Sequence, residues 1–259
     1  MNIVIFTQNT MASVVATRKI LEQNHKQVIA VVVASQLKGS FINQLKTARA
    51  LIKKSSFSFF GYKIVESKLY NVLLKFKKMP TIRSIAKKYN IPIIETDDLS
   101  SQDFLDKING LNPDYIFCLV AQILKKNVFD TLGKKLINAH GSTLPKYRGA
   151  AQYFWYLLND DPQFGVTIHY MDAGLDTGDI IFQRNFDYDR NSSAYKVHYL
   201  LAQAWGDMFN EFIGNPNHKP QPQDNTKATI TRMPTKEDIK QFRKKGKKLI
   251  TMKDFWECT

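Results

Sequence analysis

An amide, an imidazole and a carboxylate stand at Asn138, His140 and Asp176. Asn138 and His140 are two positions apart, so on an extended backbone their side chains leave the same face. They follow a short strand-like run, Lys135-Leu136-Ile137, and lead into a loop that contains Gly141 and Gly149. Asp176 follows a second strand-like run over residues 165–170, on a turn marked by Gly174 and Gly178. Polar groups at strand ends, on glycine-bearing loops, are where α/β proteins put chemistry. Acyl transfer to an amine needs a stabilised oxyanion and the removal of a proton. The Asn138 amide and the His140 ring can donate to the oxyanion. Asp176 can tune His140 or relay the amine's proton through water. Taken singly, an Asn is usually a turn residue and a His a core or surface one; spacing and glycine-rich setting together favour a site.

The elements that must position these groups follow a β–α alternation. Residues 2–7 read as a strand and 13–24 as a helix, followed by an apolar strand over 28–34. The loop between, Gln8-Asn9-Thr10, lacks the glycine fingerprint of a dinucleotide site, so NAD is not expected. Helices are expected over 81–89, 101–109, 125–131, 150–158 and 193–213, and strands over 91–94, 115–120 and 165–170, with Gly133 ending the helix before Lys135. His169 lies on the 165–170 strand, seven before Asp176, and reads as core or as support for the site. His198 reads as structural, and His25 and His218 sit in turn-like surroundings. Residues 215–222 are rich in Pro, Asn and Gln and read as a linker or a surface excursion. A short strand over 228–232 follows, then Thr235 to Asp238 as a capping box opening a helix over 239–244. The organisation expected is a catalytic unit over 1–214, with an insertion at 38–79, and a linker with a short appendage over 215–259.

With those residues in view, the chain resembles the folate-dependent formyltransferases, which act on methionyl-tRNA, glycinamide ribonucleotide and nucleotide-linked amino sugars. The shared pattern reads here as Asn138-x-His140-x-Ser142-x-Leu144-Pro145-x-Tyr147-x-Gly149, with Leu175-Asp176-x-Gly178 further on, and His140 and Asp176 are 36 positions apart. Gly141 departs from the pattern, since many relatives have Pro there. The resemblance implies a Rossmann-like α/β fold, with a mostly parallel central sheet flanked by helices, and Asn138, His140 and Asp176 as catalytic residues. It implies 10-formyltetrahydrofolate as co-substrate, held by the backbone and apolar side chains of Leu119, Val120, Ala121, Gln122, Ile123 and Leu124. Met171 and the backbone of Asp172, Ala173 and Gly174 would close that pocket. Gln122 stands where relatives often have Arg. Gln8, Asn9 and Thr10, on the loop after the first strand, are the implied substrate contacts, and Arg148 is assigned with them. The competing reading of that first loop is a plain turn with a helix cap. No metal is expected, because no His or Cys ligand cluster accompanies Asp172 and Asp179.

The 259 residues suit one sizeable domain, or one with a small appendage, and 44% apolar content supports a real core. No apolar run is long enough to span a membrane, and the opening reads as a strand rather than a signal peptide. Two distant cysteines, Cys118 and Cys258, make no disulfide framework, so a cytoplasmic protein is expected. The net charge of +14 is unevenly spread: residues 38–88 carry a net +12 and residues 219–253 a net +8, which leaves the remainder at −6. Such segments point to phosphate, RNA or an anionic membrane, against the plainer reading of solvated lysine-rich faces. The 38–79 insertion reads as two basic amphipathic helices with Phe57, Phe59 and Phe60 between them. Its apolar faces need cover. Packing on the core or on a second subunit in a homodimer ranks first, peripheral membrane contact second, and nucleic acid last.

The expected function is therefore formyl transfer from 10-formyltetrahydrofolate to a primary amine, best a nucleotide-linked amino sugar for cell-surface polysaccharide. Methionyl-tRNA formyltransferase-like activity is favoured by the charge and disfavoured by the tail, which looks short beside the C-terminal barrel of the tRNA-specific relatives. Formyltetrahydrofolate hydrolysis, with water as acceptor, is a further alternative. A basic RNA- or membrane-binding module without catalysis is the reading from a different class, and the intact triad weighs against it.

Overall fold

The computed structural model describes residues 1–35, 59, 61–62, 80–120, 122 and 124–258. Its centre is a sheet formed by β1 (Ile3–Gln8), β2 (Val28–Ala34), β3 (Ile93–Thr96), β4 (Tyr115–Cys118), β5 (Leu136–His140), β7 (Gln163–Tyr170) and β8 (Ile180–Asp187). The strand order is β3-β2-β1-β4-β5-β7-β8. The four pairings from β3 to β5 are parallel, and β5–β7 and β7–β8 are antiparallel. A separate pair joins β6 (Arg148–Gly149) to β9 (Ile230–Thr231).

Alternation along the strands divides the core in two. Ile3 and Ile5 of β1 and Val31 and Val33 of β2 enter one apolar cluster, while Val4, Phe6, Ala30 and Val32 enter the other. A strand covered on both faces has no polar face to show, which is why β1 and β2 read as unbroken apolar runs. The first cluster is closed by α1 (Met11–Asn24) and α6 (Ala194–Gly214). Phe117 of β4 stacks on Phe209 of α6 with ring centres 4.0 Å apart. The second cluster is closed by α3 (Gln102–Gly110) and α4 (Lys126–Leu132). A further helix, α2 (Ile82–Lys88), is opened by the Thr81 capping box and packs Ile82, Ile85 and Ala86 on the first cluster.

The fold is the expected one, with three differences that bear on the site. Lys135 belongs to a 3-10 turn, and β5 runs on to include Asn138 and His140, which were expected on the loop after it. The antiparallel partner explains this: β4 stops pairing at Asn138, but β7 carries the ladder on to His140. Strand β8 was not anticipated, because its outer half, Arg184-Asn185-Phe186-Asp187, is too polar and exposed to read as a strand. Third, residues 215–258 fold back over the first 214. Ile239 and Phe242 of α7 (Lys236–Lys244), and Cys258, are buried in the first cluster, with Phe242 stacked on Phe154 of α5 (Gln152–Asn159). The expected capping box at Thr235 is present, with Asp238 as its return partner.

Most of the 38–79 insertion, including Phe57 and Phe60, lies outside the described residues. Phe59 is within them and corrects the lipid-facing alternative for its own side chain. It is fully buried, edge-on to Phe154 and beside Tyr62. No helix among the described residues is long and apolar enough to cross a membrane.

Candidate active site

The antiparallel register of β5 and β7 sets Asn138 opposite His169 and His140 opposite Thr167. The loop between β7 and β8 then brings Asp176 over the end of β5. Asp176 Oδ2 lies 3.5 Å from His140 Nδ1, and Asp176 Oδ1 lies 4.0 Å from His169 Nε2. His140 is 5% exposed and His169 only 1%. The three groups singled out by spacing therefore surround one point, with His169 as a fourth member.

Hydrogen bonds assign the two imidazoles. His140 Nε2 is 2.8 Å from the Tyr147 carbonyl, a separation that requires a proton between them, so Nε2–H donates. Nδ1 is then the ring nitrogen left to face Asp176. His169 Nδ1 is 2.8 Å from the Tyr170 carbonyl and donates to it. Its Nε2 accepts from the Asn138 amide at 3.3 Å. The amide nitrogen of Asn138 is thereby oriented, and its second N–H has no acceptor among the described residues. Sequence left the role of His169 open between core and support; the cross-strand register, readable only from the pairing, sets it against the Asn138 amide.

Burial, and then the neighbouring His140 charge, push the His169 pKa down to about 4. Unfolded histidine titrates near 6.5, so between these values the unfolded chain takes up a proton that the folded chain refuses. The contribution is fully present above about pH 6.5 and is lost as pH falls towards 4. In His169→Gln, the denaturation midpoint is expected to depend less on pH across this window than in the native protein. Parallel stability curves for the two would remove His169 as the source.

Asp176 has a left-handed backbone, with φ of 53°. A non-glycine residue there is strained by about 1–3 kcal/mol and must be held by its surroundings. Its Oδ2 accepts the Gly149 N–H at 2.8 Å, and its carbonyl accepts the Gln223 side-chain amide at 2.9 Å. Gly149 belongs to β6, whose pairing with β9 is reinforced by Tyr147 N–H to Thr229 Oγ1 at 2.8 Å and Thr231 Oγ1 to the Arg148 carbonyl at 3.1 Å. The C-terminal segment thus lies against the back of the site loop.

The remaining expected residues divide. Arg148 is a correction. It is 7% exposed, and its guanidinium donates to Gln223 Oε1 at 2.6 and 3.1 Å and to Asn225 Oδ1 at 2.8 Å. It is committed to the C-terminal segment rather than offered to a substrate. Thr10 caps α1, accepting from Ser13 N–H at 3.2 Å, which is the plainer reading of that loop. Gln8 is buried at the end of β1, and Asn9 is exposed. Leu119 is turned inward: its side chain is in the first cluster, its N–H donates to Phe6 and its carbonyl accepts from Ser13. Leu124 is likewise buried, in the second cluster. Ala121 and Ile123 lie outside the described residues. Val120 and Met171 are half-buried against the second cluster. Asp172 accepts from Gly174 N–H and Thr177 Oγ1, closing a turn that leaves Ala173 and Gly174 exposed. Gln122 reaches across to donate to the Ser35 carbonyl, while its buried Oε1 has no hydrogen-bond partner among the described residues. No cluster of metal-ligating side chains is found among the described residues.

Residues 1–209 match the family model for formyl transferase. The chain belongs to the formyl transferase family. It is similar to the methionyl-tRNA formyltransferase of Clostridioides difficile (strain 630), with 40% identity over 136 residues, 52% of this chain and 44% of that protein. The chain spans about half the length of the curated relatives it matches. Among solved structures it is similar to WlaRD, a sugar 3N-formyl transferase crystallised in the presence of dTDP and 5-N-formyl-THF. That match has a TM-score of 0.57 and 22% identity, and covers 92% of this chain and 70% of that one. It is also similar to the N-formyltransferase from Helicobacter canadensis in complex with folinic acid and dTDP-3-aminofucose, with a TM-score of 0.56, 20% identity, and 92% and 72% coverage. These two likenesses establish a shared fold.

Proposed function

We propose that the protein transfers a formyl group from 10-formyltetrahydrofolate to a primary amine. The observation that carries this reading is the convergence of Asn138, His140 and Asp176, with His140 Nδ1 and Asp176 Oδ2 3.5 Å apart. In the reaction the amine nitrogen bonds to the formyl carbon, and the carbonyl pair moves to oxygen. The second N–H of Asn138 and the Nδ1–H of the His140 ring in its doubly protonated form, with Nε2–H on the Tyr147 carbonyl, are the donors for that oxyanion. Asp176, directly or through one water, takes the proton the amine must lose. The oxyanion pair then reforms the carbonyl, the bond from the formyl carbon to the folate nitrogen breaks, and the proton held by Asp176 passes, directly or through the same water, to that leaving nitrogen. His169, kept neutral by burial, holds the Asn138 amide throughout.

The folate would lie by Val120, Gln122, Met171 and the 172–174 turn. The unmatched Oε1 of Gln122 suits the N–H donors of a pterin ring. 5-Formyltetrahydrofolate at ~100 times its dissociation constant is expected to stabilise the protein by about 2.7 kcal/mol. An unmoved melting temperature at saturation would count against this pocket.

For the amine, a nucleotide-linked amino sugar is the reading we favour, supported by sugar N-formyltransferase neighbours that align over 92% of the chain. Methionyl-tRNA is the second reading, supported by the 40% identical relative and by exposed Lys236, Lys240, Arg243 and Lys244 along α7. A mass-read screen with 10-formyltetrahydrofolate and either a dTDP-linked amino sugar, methionyl-tRNA or no acceptor separates these from hydrolysis. Formylation of tRNA alone would overturn the sugar assignment.

A further inference from the structure

The geometry points to Gln223 as a positioning residue that holds Asp176 in register with His140. This rests on the formyl-transfer reading of that pair. The amide nitrogen of Gln223 donates to two carbonyls of the site loop, Asp176 at 2.9 Å and Gly178 at 2.7 Å. Its Oε1 accepts from Arg148 Nε at 3.1 Å and Nη2 at 2.6 Å. Both amide hydrogens and the amide oxygen are therefore used. The orientation is set from both sides, because guanidinium only donates and carbonyls only accept.

The clamp grips the strained point of the site. Asp176 is left-handed, with φ of 53°, and its carboxylate is held on the other side by Gly149 N–H, next in the chain to Arg148. Gln223 thus links the backbone of the Asp176 loop to β6, the segment that directly follows the Tyr147 carbonyl accepting from His140 Nε2. Both members of the His140–Asp176 pair are referred to one short strand through this amide. Alanine would release both carbonyls and leave the buried Arg148 short of an acceptor. Glutamate would keep an acceptor for Arg148 but has no N–H for the carbonyls. Comparing the two isolates the clamp from the anchoring of Arg148.

The experiment uses the full chain, with Gln223→Ala and Gln223→Glu measured beside the native protein. In both variants kcat is expected to fall by roughly 10- to 100-fold, the range for slight misplacement of a reacting group. KM for the formyl donor and the amine should stay within about threefold, since the Gln223 amide is committed to Arg148, Asp176 and Gly178. Gln223→Glu, which keeps an acceptor for Arg148, should melt above Gln223→Ala while sharing its kcat loss. In the free protein, the imidazole NMR signals of His140 should move in both variants. Native kcat in Gln223→Glu, or unmoved His140 signals in both variants, would overturn the proposal and leave Gln223 as a tie for the C-terminal segment. If the native protein transfers no formyl group, the formyl-transfer reading fails, and the NMR comparison still tests the clamp.

Discussion

His140→Ala is expected to lower turnover by ~10²-fold or more while the fold survives, and Asp176→Asn to do the same. The size follows from how little freedom the pair has. The Nε2–H of His140 is committed to the Tyr147 carbonyl, so Nδ1 is the one ring atom that can serve the reaction, and it faces Asp176 at 3.5 Å. Alanine removes that donor. Asparagine at 176 keeps the shape, and its side-chain oxygen can still accept from Gly149, but it cannot take up the amine's proton. Because Asp176 pairs with the same His140 Nδ1 that serves the oxyanion, the two act as a unit, and the double variant should be little worse than either single one. The measurement is kcat alongside the melting temperature. Near-normal turnover in purified, folded His140→Ala would sink the catalytic assignment, and fully additive losses would separate the two residues.

The second large effect is expected at a residue with no side chain. Gly149→Ala should lower stability by about 3 kcal/mol or more and turnover by roughly 10²-fold. Gly149 has φ of +104°, outside what an L side chain adopts comfortably, and a Cβ there would sit 2.3 Å from the Thr231 carbonyl oxygen. That oxygen is backbone and part of the β6–β9 pairing, so it cannot swing aside without parting the two strands. Parting them moves the Gly149 N–H that holds Asp176. Gly110→Ala is the control: it lies in α3, with nothing within 4 Å of the added carbon, and alanine there should be neutral or slightly stabilising. Equal behaviour of the two variants in chemical denaturation would refute the argument from close approach.

How much of this was legible in the residues themselves depended on range. Strands β1 and β2 announce themselves because a strand buried on both faces is apolar throughout, and β2 falls where the sequence places it, at residues 28–34. The helix starts read at Thr81 and Ser193 and the capping box read at Thr235 are equally plain, since a cap is a bond between residues three apart. The same locality made Asn138 and His140 a pair, two positions apart on an extended backbone. The 36-residue gap to Asp176 carried meaning only through the likeness to a family.

What the sequence alone could not determine is everything made by partners far along the chain. Asn138 touches His169 because β5 and β7 run antiparallel in one register, and a shift of one residue would have sent His169 to the other face. Arg148 is assigned by sequence with the substrate contacts of the first loop. It is instead engaged by Gln223 and Asn225, 75 and 77 positions away. Gln223, in a Pro- and Gln-rich stretch that reads as linker, has no local pattern to mark it. Hydrophobic periodicity and capping are written in neighbours, whereas a polar clamp exists only once folding has chosen which distant carbonyls and guanidinium meet.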